Sequence, residues 1–350
     1  MKTFKSILGI TLIAMLSFTS CQDEIDNKIG QDPNTNDANS VATKNYKRTA
    51  MYDGSFDDFL DGNPCSSILL PVTATVNGTQ VSIISQLDYQ QVINILGQFN
   101  TDDDQVVLQF PFTVRLSNYT EVLVTSQGNY DAIIQACEEA NAQGEDAISC
   151  LDIDFPITIL TYNLNLEQTG SLVIQSEEQL YTYMDNLGND ELFSIDYPIT
   201  IMFSNGTSAT IDGDSDLQSS INECLAEEDE MDEAEENADA LAEILVDGVF
   251  KVQSFVNAGV DTANEYAEFT IDFANDWTVK AHNVVNALVD DVEGTYEVAS
   301  ETDVFLSLTF SGTTSFNALN QNWKVTSFSS TSVSLQSTTN AAVTLVLAQI

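Results

Sequence analysis

Positive charge is nearly missing from this chain. It carries ten Lys and Arg against 54 Asp and Glu in 350 residues, a net charge of −44. A surface so acidic repels phosphate, which excludes nucleic-acid binding through basic patches. Histidine is scarcer still, with His282 alone. Imidazole triads and histidine-rich metal sites are therefore excluded, and no cofactor is expected. His282 has no recognisable partner and reads as a surface strand residue. Long apolar runs are absent after the N-terminus, where nothing approaches the ~18 apolar residues that cross a bilayer. Paired carboxylates abound, but in this composition their abundance carries no signal for acid–base chemistry. A non-enzymatic protein is expected.

The N-terminus has the layout of a processing segment: Lys2 and Lys5, an apolar run from Ile7 to Leu16, then small residues before a cysteine. Phe18-Thr19-Ser20-Cys21 resembles a bacterial lipoprotein processing site. That resemblance implies a signal peptide over residues 1–20 and a diacylated Cys21 that anchors the protein in the outer membrane. The alternative is an ordinary secretory signal with a chance cysteine. Gln22-Asp23-Glu24 resembles the acidic export signal of lipoproteins in the Bacteroidetes group. Display on the extracellular face of the outer membrane follows from that likeness. Residues 21–64, rich in Asn, Asp, Thr and Gly, are expected to form a flexible tether.

Proline is rare, with six in the chain, yet four occupy equivalent places. Leu70-Pro71-Val72-Thr73, Phe110-Pro111-Phe112-Thr113, Phe155-Pro156-Ile157-Thr158 and Tyr197-Pro198-Ile199-Thr200 share one pattern. Each opens an alternating run, such as Val72, Ala74 and Val76, that marks a half-buried antiparallel strand. Proline has no backbone donor, so it belongs at an edge or a strand start. Asn77-Gly78 and Asn205-Gly206 supply the positive φ angles of tight hairpins. A seven-residue match follows in each copy: Ile83–Tyr89, Val124–Tyr130, Ile174–Leu180 and Ile211–Leu217. Its third position, Ser85, Ser126, Ser176 or Gly213, suits a helix start. The expected fold is α+β: four strand–strand–helix (ββα) units in two pairs, antiparallel sheets with helices on one face, over residues 65–149 and 150–225.

Four cysteines remain if Cys21 is lipidated, an even number in a non-reducing compartment. Cys65 and Cys150 each lie six residues before a repeat proline, and Cys137 and Cys224 each close a helix face. Three connectivities are open. Cys65–Cys137 with Cys150–Cys224 is favoured because one stereochemistry then serves both repeats. A four-cysteine metal site lacks the C-x₂-C spacing it would need.

Residues 227–239 hold nine acids in thirteen positions and read, within 226–247, as a solvated acidic helical linker. From residue 248 to 350 alternation marks about eight strands, an up-and-down meander closed into an all-β barrel. Gly248-Val-Phe250-Lys-Val252, Gly294-Thr-Tyr296-Glu-Val298 and Asn322-Trp323-Lys-Val325 resemble the lipocalin-like domains of Bacteroidetes lipoproteins. That family implies an eight-stranded calyx, sometimes holding a small apolar ligand. The alternative is an interior filled by its own aromatic side chains.

Asp212, Asp214, Asp216 and Glu223 have the spacing of a calcium loop, but Leu217 stands where that loop needs glycine. Capping of a helix start explains them better. Asp102, Asp103 and Asp104 are candidates to hold Ca²⁺ or Mg²⁺ loosely. Asp261-Thr262-Ala263 resembles the O-glycosylation signal of the same bacterial group. The sequence thus points to a surface lipoprotein acting as a binding or adhesion module for an extracellular protein or polysaccharide. A carrier of a small hydrophobic ligand in the barrel is the alternative.

Overall fold

A computed structural model describes residues 34–101, 104–312 and 315–350. Cys21, Asp102 and Asp103 lie outside the described residues, as do the expected signal peptide and the beginning of the expected tether.

Residues 34–64 correct that tether, because they are folded. Helix α1 (Val41–Thr49) starts at Ser40, whose hydroxyl accepts the N–H of Thr43 at 3.1 Å. Lys47 and Arg48 occupy its last turn, where the helix dipole favours cations. Tyr46 and Ala50 are fully buried. Asn36 exchanges two backbone hydrogen bonds with Phe193, at 2.7 and 3.0 Å. One turn of helix, α2 (Asp58–Asp61), then ends on Gly62 at φ +66°. The polar composition concealed a narrow apolar stripe that is sufficient to seat α1 on the domain behind it.

The next segment holds β1 (Ser66–Leu69), β2 (Val72–Val76), β3 (Thr79–Ile83) and α3 (Tyr89–Leu96). It is followed by β4 (Val106–Leu108), β5 (Phe112–Leu116), β6 (Glu121–Val124) and α4 (Gln127–Ala142). The second half repeats the order with β7 (Leu151–Ile153), β8 (Ile157–Tyr162), β9 (Gln168–Ile174) and α5 (Glu177–Asp185). Then come β10 (Leu192–Ile195), β11 (Ile199–Phe203), β12 (Ser208–Ile211) and α6 (Asp214–Val246).

The sheets differ from the ββα expectation. Each has three strands: β3-β2-β4, β1-β5-β6, β10-β8-β9 and β12-β11-β7. A short strand before each proline was not anticipated, and it pairs with the hairpin of the neighbouring segment. Thus β1 runs antiparallel to β5 and β4 to β2, while β7 pairs with β11 and β10 with β8. The X–Pro bonds of the four repeat prolines are cis, and the strand after each of these prolines is the central one of its sheet. The prolines therefore sit at strand starts, where no ladder donor is required.

Local signals act as their chemistry dictates. The Ser126 and Ser176 hydroxyls accept N–H groups three residues on, and Ser85 forms a reciprocal box with Asp88. Gly213 starts α6 without a side-chain cap. Tyr89, Tyr130, Leu180 and Leu217 are buried at the matching first inward position. Asn77, Gly78 and Gly206 take positive φ. Asn205 does not: its side-chain oxygen instead accepts the Thr207 N–H at 2.9 Å and hydroxyl at 2.6 Å. Disulfides join Cys65 to Cys137 and Cys150 to Cys224, with Cα separations of 5.6 and 5.7 Å.

The expected linker is not a separate element. Its acidic residues continue α6, one helix of 33 residues that begins in the core of the second pair and ends against the barrel. Leu217, Ile221 and Cys224 face the former core, while Ala238, Leu241 and Leu245 face the latter. Full burial of a leucine contributes ~1.5–3 kcal/mol, so Leu241 and Leu245 fix this contact.

The C-terminal region is a closed barrel of eight antiparallel strands. They are β13 (Val249–Asn257), β15 (Phe269–Phe273), β16 (Thr278–Asn283), β17 (Val292–Ser300), β18 (Val304–Phe310), β19 (Asn322–Ser329), β20 (Ser332–Ser337) and β21 (Thr344–Gln349). Pairing of β13 with β21 closes the ring, and the two-residue β14 (Val260–Asp261) is appended to β13. Gly294 is required by close packing: a Cβ there would lie 2.4 Å from the Thr309 carbonyl oxygen on β18. Aromatic rings pack through the buried core, with Phe250 against Phe273, Phe255 against Trp323 and Tyr266 against Phe316, all edge to face. The Trp323 indole N–H donates to the Leu319 carbonyl at 3.0 Å.

Candidate functional site

A groove of about 820 Å³ opens between the two halves of the strand–helix region. Three helices build it. One face of α4 supplies the floor, with Ala132, Ile133, Ala136, Cys137 and Ala140 recurring at helical spacing. Met184 and Leu187 supply apolar surface on the α5 side, and Met51 follows the end of α1. The Cys65–Cys137 bond is part of the wall, so the oxidised state helps to shape the site.

The rim on the α1 side is cationic. Lys44, Lys47 and Arg48 lie at i, i+3 and i+4, which places them on one face, while Thr43, Asn45, Tyr46 and Thr49 are buried. Three of the chain's ten basic residues are thus gathered within five positions. The Lys47 ammonium donates to Asp185 Oδ1 at 2.6 Å and lies 5.4 Å from the Tyr181 ring centroid. Its partial burial alone would lower its pKa, but the Asp185 hydrogen bond and the neighbouring negative groups hold it above the usual lysine value. Arg48 Nε donates to the Asp146 carbonyl at 2.8 Å, and its guanidinium reaches Asp146 Oδ1 at 3.2 Å. Lys44 makes no ion pair with any described residue and is exposed. Asn39, Asn118 and Gln143 add neutral polar groups to the rim.

Helix α1 is held by a buried polar cluster on its opposite face. The Tyr46 and Tyr197 hydroxyls are hydrogen-bonded, Tyr197 donates to Asp214 Oδ1 at 2.5 Å, and Asn36 Nδ2 donates to Asp214 Oδ2 at 2.6 Å. Burial is the main reason that both tyrosine pKa values are raised, so the phenols stay neutral donors. The groove's cationic rim is thereby fixed to the second half of the domain.

No protein-family model matches the chain, and no curated protein or solved structure is significantly similar to it. The chemistry of the site rests on its own residues.

The residues singled out from sequence are placed as follows. All four expected disulfide cysteines are paired. Asp104 accepts the Asn77 side-chain amide at 2.7 Å and so ties the β2–β3 turn to the start of β4. Among the described residues no group of three His, Cys, Asp or Glu is placed to hold a metal. The Asp212–Glu223 spacing serves capping: Asp216 accepts the Asp212 N–H at 3.2 Å, and Leu217 is buried. His282, expected without a partner, has one, since its Nδ1 lies 2.6 Å from Asp291 Oδ1 on the exposed surface. The Thr262 hydroxyl lies 3.4 Å from the Phe255 carbonyl oxygen.

Sequence reasoning missed Lys44, Lys47 and Arg48 because they fell in the expected tether. The available signal was Ser40 as a helix cap, with Ala42, Tyr46 and Ala50 spaced four apart behind it.

Proposed function

We propose that this protein is a non-enzymatic surface lipoprotein acting as a binding module, with the groove between α1, α4 and α5 as its ligand site. The groove carries this reading. Its volume falls within the ~300–1,000 Å³ range of small-ligand sites, and it joins an apolar floor on α4 to a polar and charged rim. Anchorage through a lipidated Cys21 and display on the outer face of the outer membrane are supported by the sequence around that cysteine. The two disulfides suit a non-reducing compartment. The scaffold reads as four copies of one unit, each with an extra leading strand, interleaved in two pairs. The barrel belongs with the lipocalin-like domains it resembles. Its interior of buried aromatic side chains supports a structural role over the carrier alternative.

The test compares intact cells bearing the wild-type protein or Ala136→Trp, and separately fractionates cells that make Cys21→Ala. Labelled extracellular proteins and polysaccharides are offered, and surface amounts are matched by antibody. The wild type should capture at least one probe, and Ala136→Trp, which fills the groove, should lose it. Cys21→Ala should leave the membrane fraction. Equal capture by Ala136→Trp, or retention of Cys21→Ala after a high-salt wash, would overturn the corresponding half of the proposal.

A further inference from the structure

The groove's chemistry narrows its ligand, and this inference rests on the site proposed above. We infer that the groove takes a single-chain amphiphile with an anionic head, its tail along α4 and its head at Lys44. Three observations converge on that class.

The floor is apolar and offers few hydrogen-bonding side chains. Ala132, Ala136 and Ala140 present only methyl groups, flanked by Ile133 and, across the groove, by Met184 and Leu187. That floor gains from covering by a hydrocarbon chain, while the hydrogen-bonding side chains stand on the rim.

Cations are confined to one side. Beyond α1, the described chain has only Arg115, Lys251, Lys280 and Lys324 as basic residues. Arg115, Lys280 and Lys324 are already paired with carboxylates on the barrel or on β6. In a chain of net charge −44, the α1 rim is the place where an anion meets several cations together.

The three cations are not equivalent. Lys47 and Arg48 are each held and largely neutralised by an acid, Asp185 and Asp146. Lys44 has no such partner among the described residues, and its ammonium is free to receive a head group. Three cations and three acids, Glu145 with Asp146 and Asp185, line the groove, so its formal charge is zero and a head carrying several negative charges is disfavoured. A single carboxylate is the most that the unpaired Lys44 can match.

The experiment uses the full-length Cys21→Ala chain, which carries no acyl group of its own to compete. Dodecanoate, decanoate and dodecyl maltoside are titrated below their micelle concentrations by calorimetry. Dodecanoate should bind with one site per chain. Decanoate should bind roughly tenfold more weakly, as expected for two fewer buried methylenes. Dodecyl maltoside, with the same tail and a neutral head, should be at least tenfold weaker. Lys44→Glu should weaken dodecanoate at least tenfold and leave the maltoside unchanged. Ala136→Trp should abolish both, with unchanged melting as the check on folding. Ala132→Tyr, on an exposed position of the same face, replaces it if that variant does not fold.

Dodecanoate binding that survives both groove-filling substitutions would overturn the ligand assignment and the groove as its site. Equal binding of the two head groups, insensitive to Lys44→Glu but lost in Ala136→Trp, would keep the site and overturn the anionic class. Absence of dodecanoate binding, while Ala136→Trp still abolishes capture on cells, would overturn the amphiphile alone.

Discussion

Asp57 offers the sharpest test of how this acidic chain manages a buried charge. Its side chain is fully buried, one carboxyl oxygen accepts the Ile68 N–H at 2.8 Å, and the other has no partner among the described residues. Burial pushes its pKa up to about 7; the Ile68 hydrogen bond opposes this, and the nearby charges of Asp61 and Asp58 add to it. A carboxyl whose pKa is raised by folding stabilises the protein fully below its unfolded value of 3.8, and that stabilisation is lost as pH rises toward 7. At ~1.36 kcal/mol per pKa unit the total change is about 4 kcal/mol, of which roughly 2–3 kcal/mol falls between pH 5 and 8. Asp57→Asn keeps an acceptor for Ile68 and removes the ionisation. Urea unfolding of both proteins, followed by hydrogen exchange over residues 57–69, measures the effect. The wild type should lose roughly 2–3 kcal/mol more than the variant from pH 5 to pH 8. At pH 8 the variant should be the more stable of the two. Parallel pH profiles would refute the reasoning, because the other acids are common to both chains.

Three further outcomes follow from described features. Replacing Cys150 and Cys224 by alanine opens a loop of 74 residues and should cost about 4 kcal/mol in denaturant unfolding; a loss below ~1 kcal/mol would contradict the chain-entropy account. Tyr46→Ala removes a fully buried ring and its bond to Tyr197, at about 3 kcal/mol, and should expose residues 34–50 to protease. The melting temperature should rise with NaCl, since screening over ~8 Å at physiological ionic strength relieves the self-repulsion of a −44 chain; a flat salt series contradicts it.

The legible parts of this fold were those whose cause is local. Ser85, Ser126 and Ser176 cap the helices that their spacing announced, and alternation from Phe250 to Leu347 marks the barrel strands. Strands β1, β4, β7 and β10 were not legible. They are three or four residues long, too short for periodicity, and their partners lie a whole segment away. The acidic stretch is helical and joins the two regions as expected, but its continuity with the preceding helix and its packed inner face were not legible. Its inward residues are mostly alanines, which carry little hydrophobic signal yet allow close packing, and the charges around them dominate the pattern. The groove was hidden with α1, since a site formed by three helices cannot be assembled when one is assigned to a tether. The disulfide pairing was accessible because symmetry between repeats limited the choice.

The exchange of leading strands has a consequence for how such a region can change. A single segment, cut away from its neighbour, would lose one strand of its own sheet and leave a strand with no sheet to join. Each pair is therefore the smallest piece that can be gained, lost or transplanted intact. In architecture it is a strand-swapped dimer written into one polypeptide, with the disulfide bolting the entry of the first member to the helix of the second. Two such fused dimers, set side by side, leave between them a seam that belongs to neither. The groove lies on that seam, so its exposed lining, such as Lys44, Ala132 and Ala136, can vary without disturbing the ladders that hold either half together.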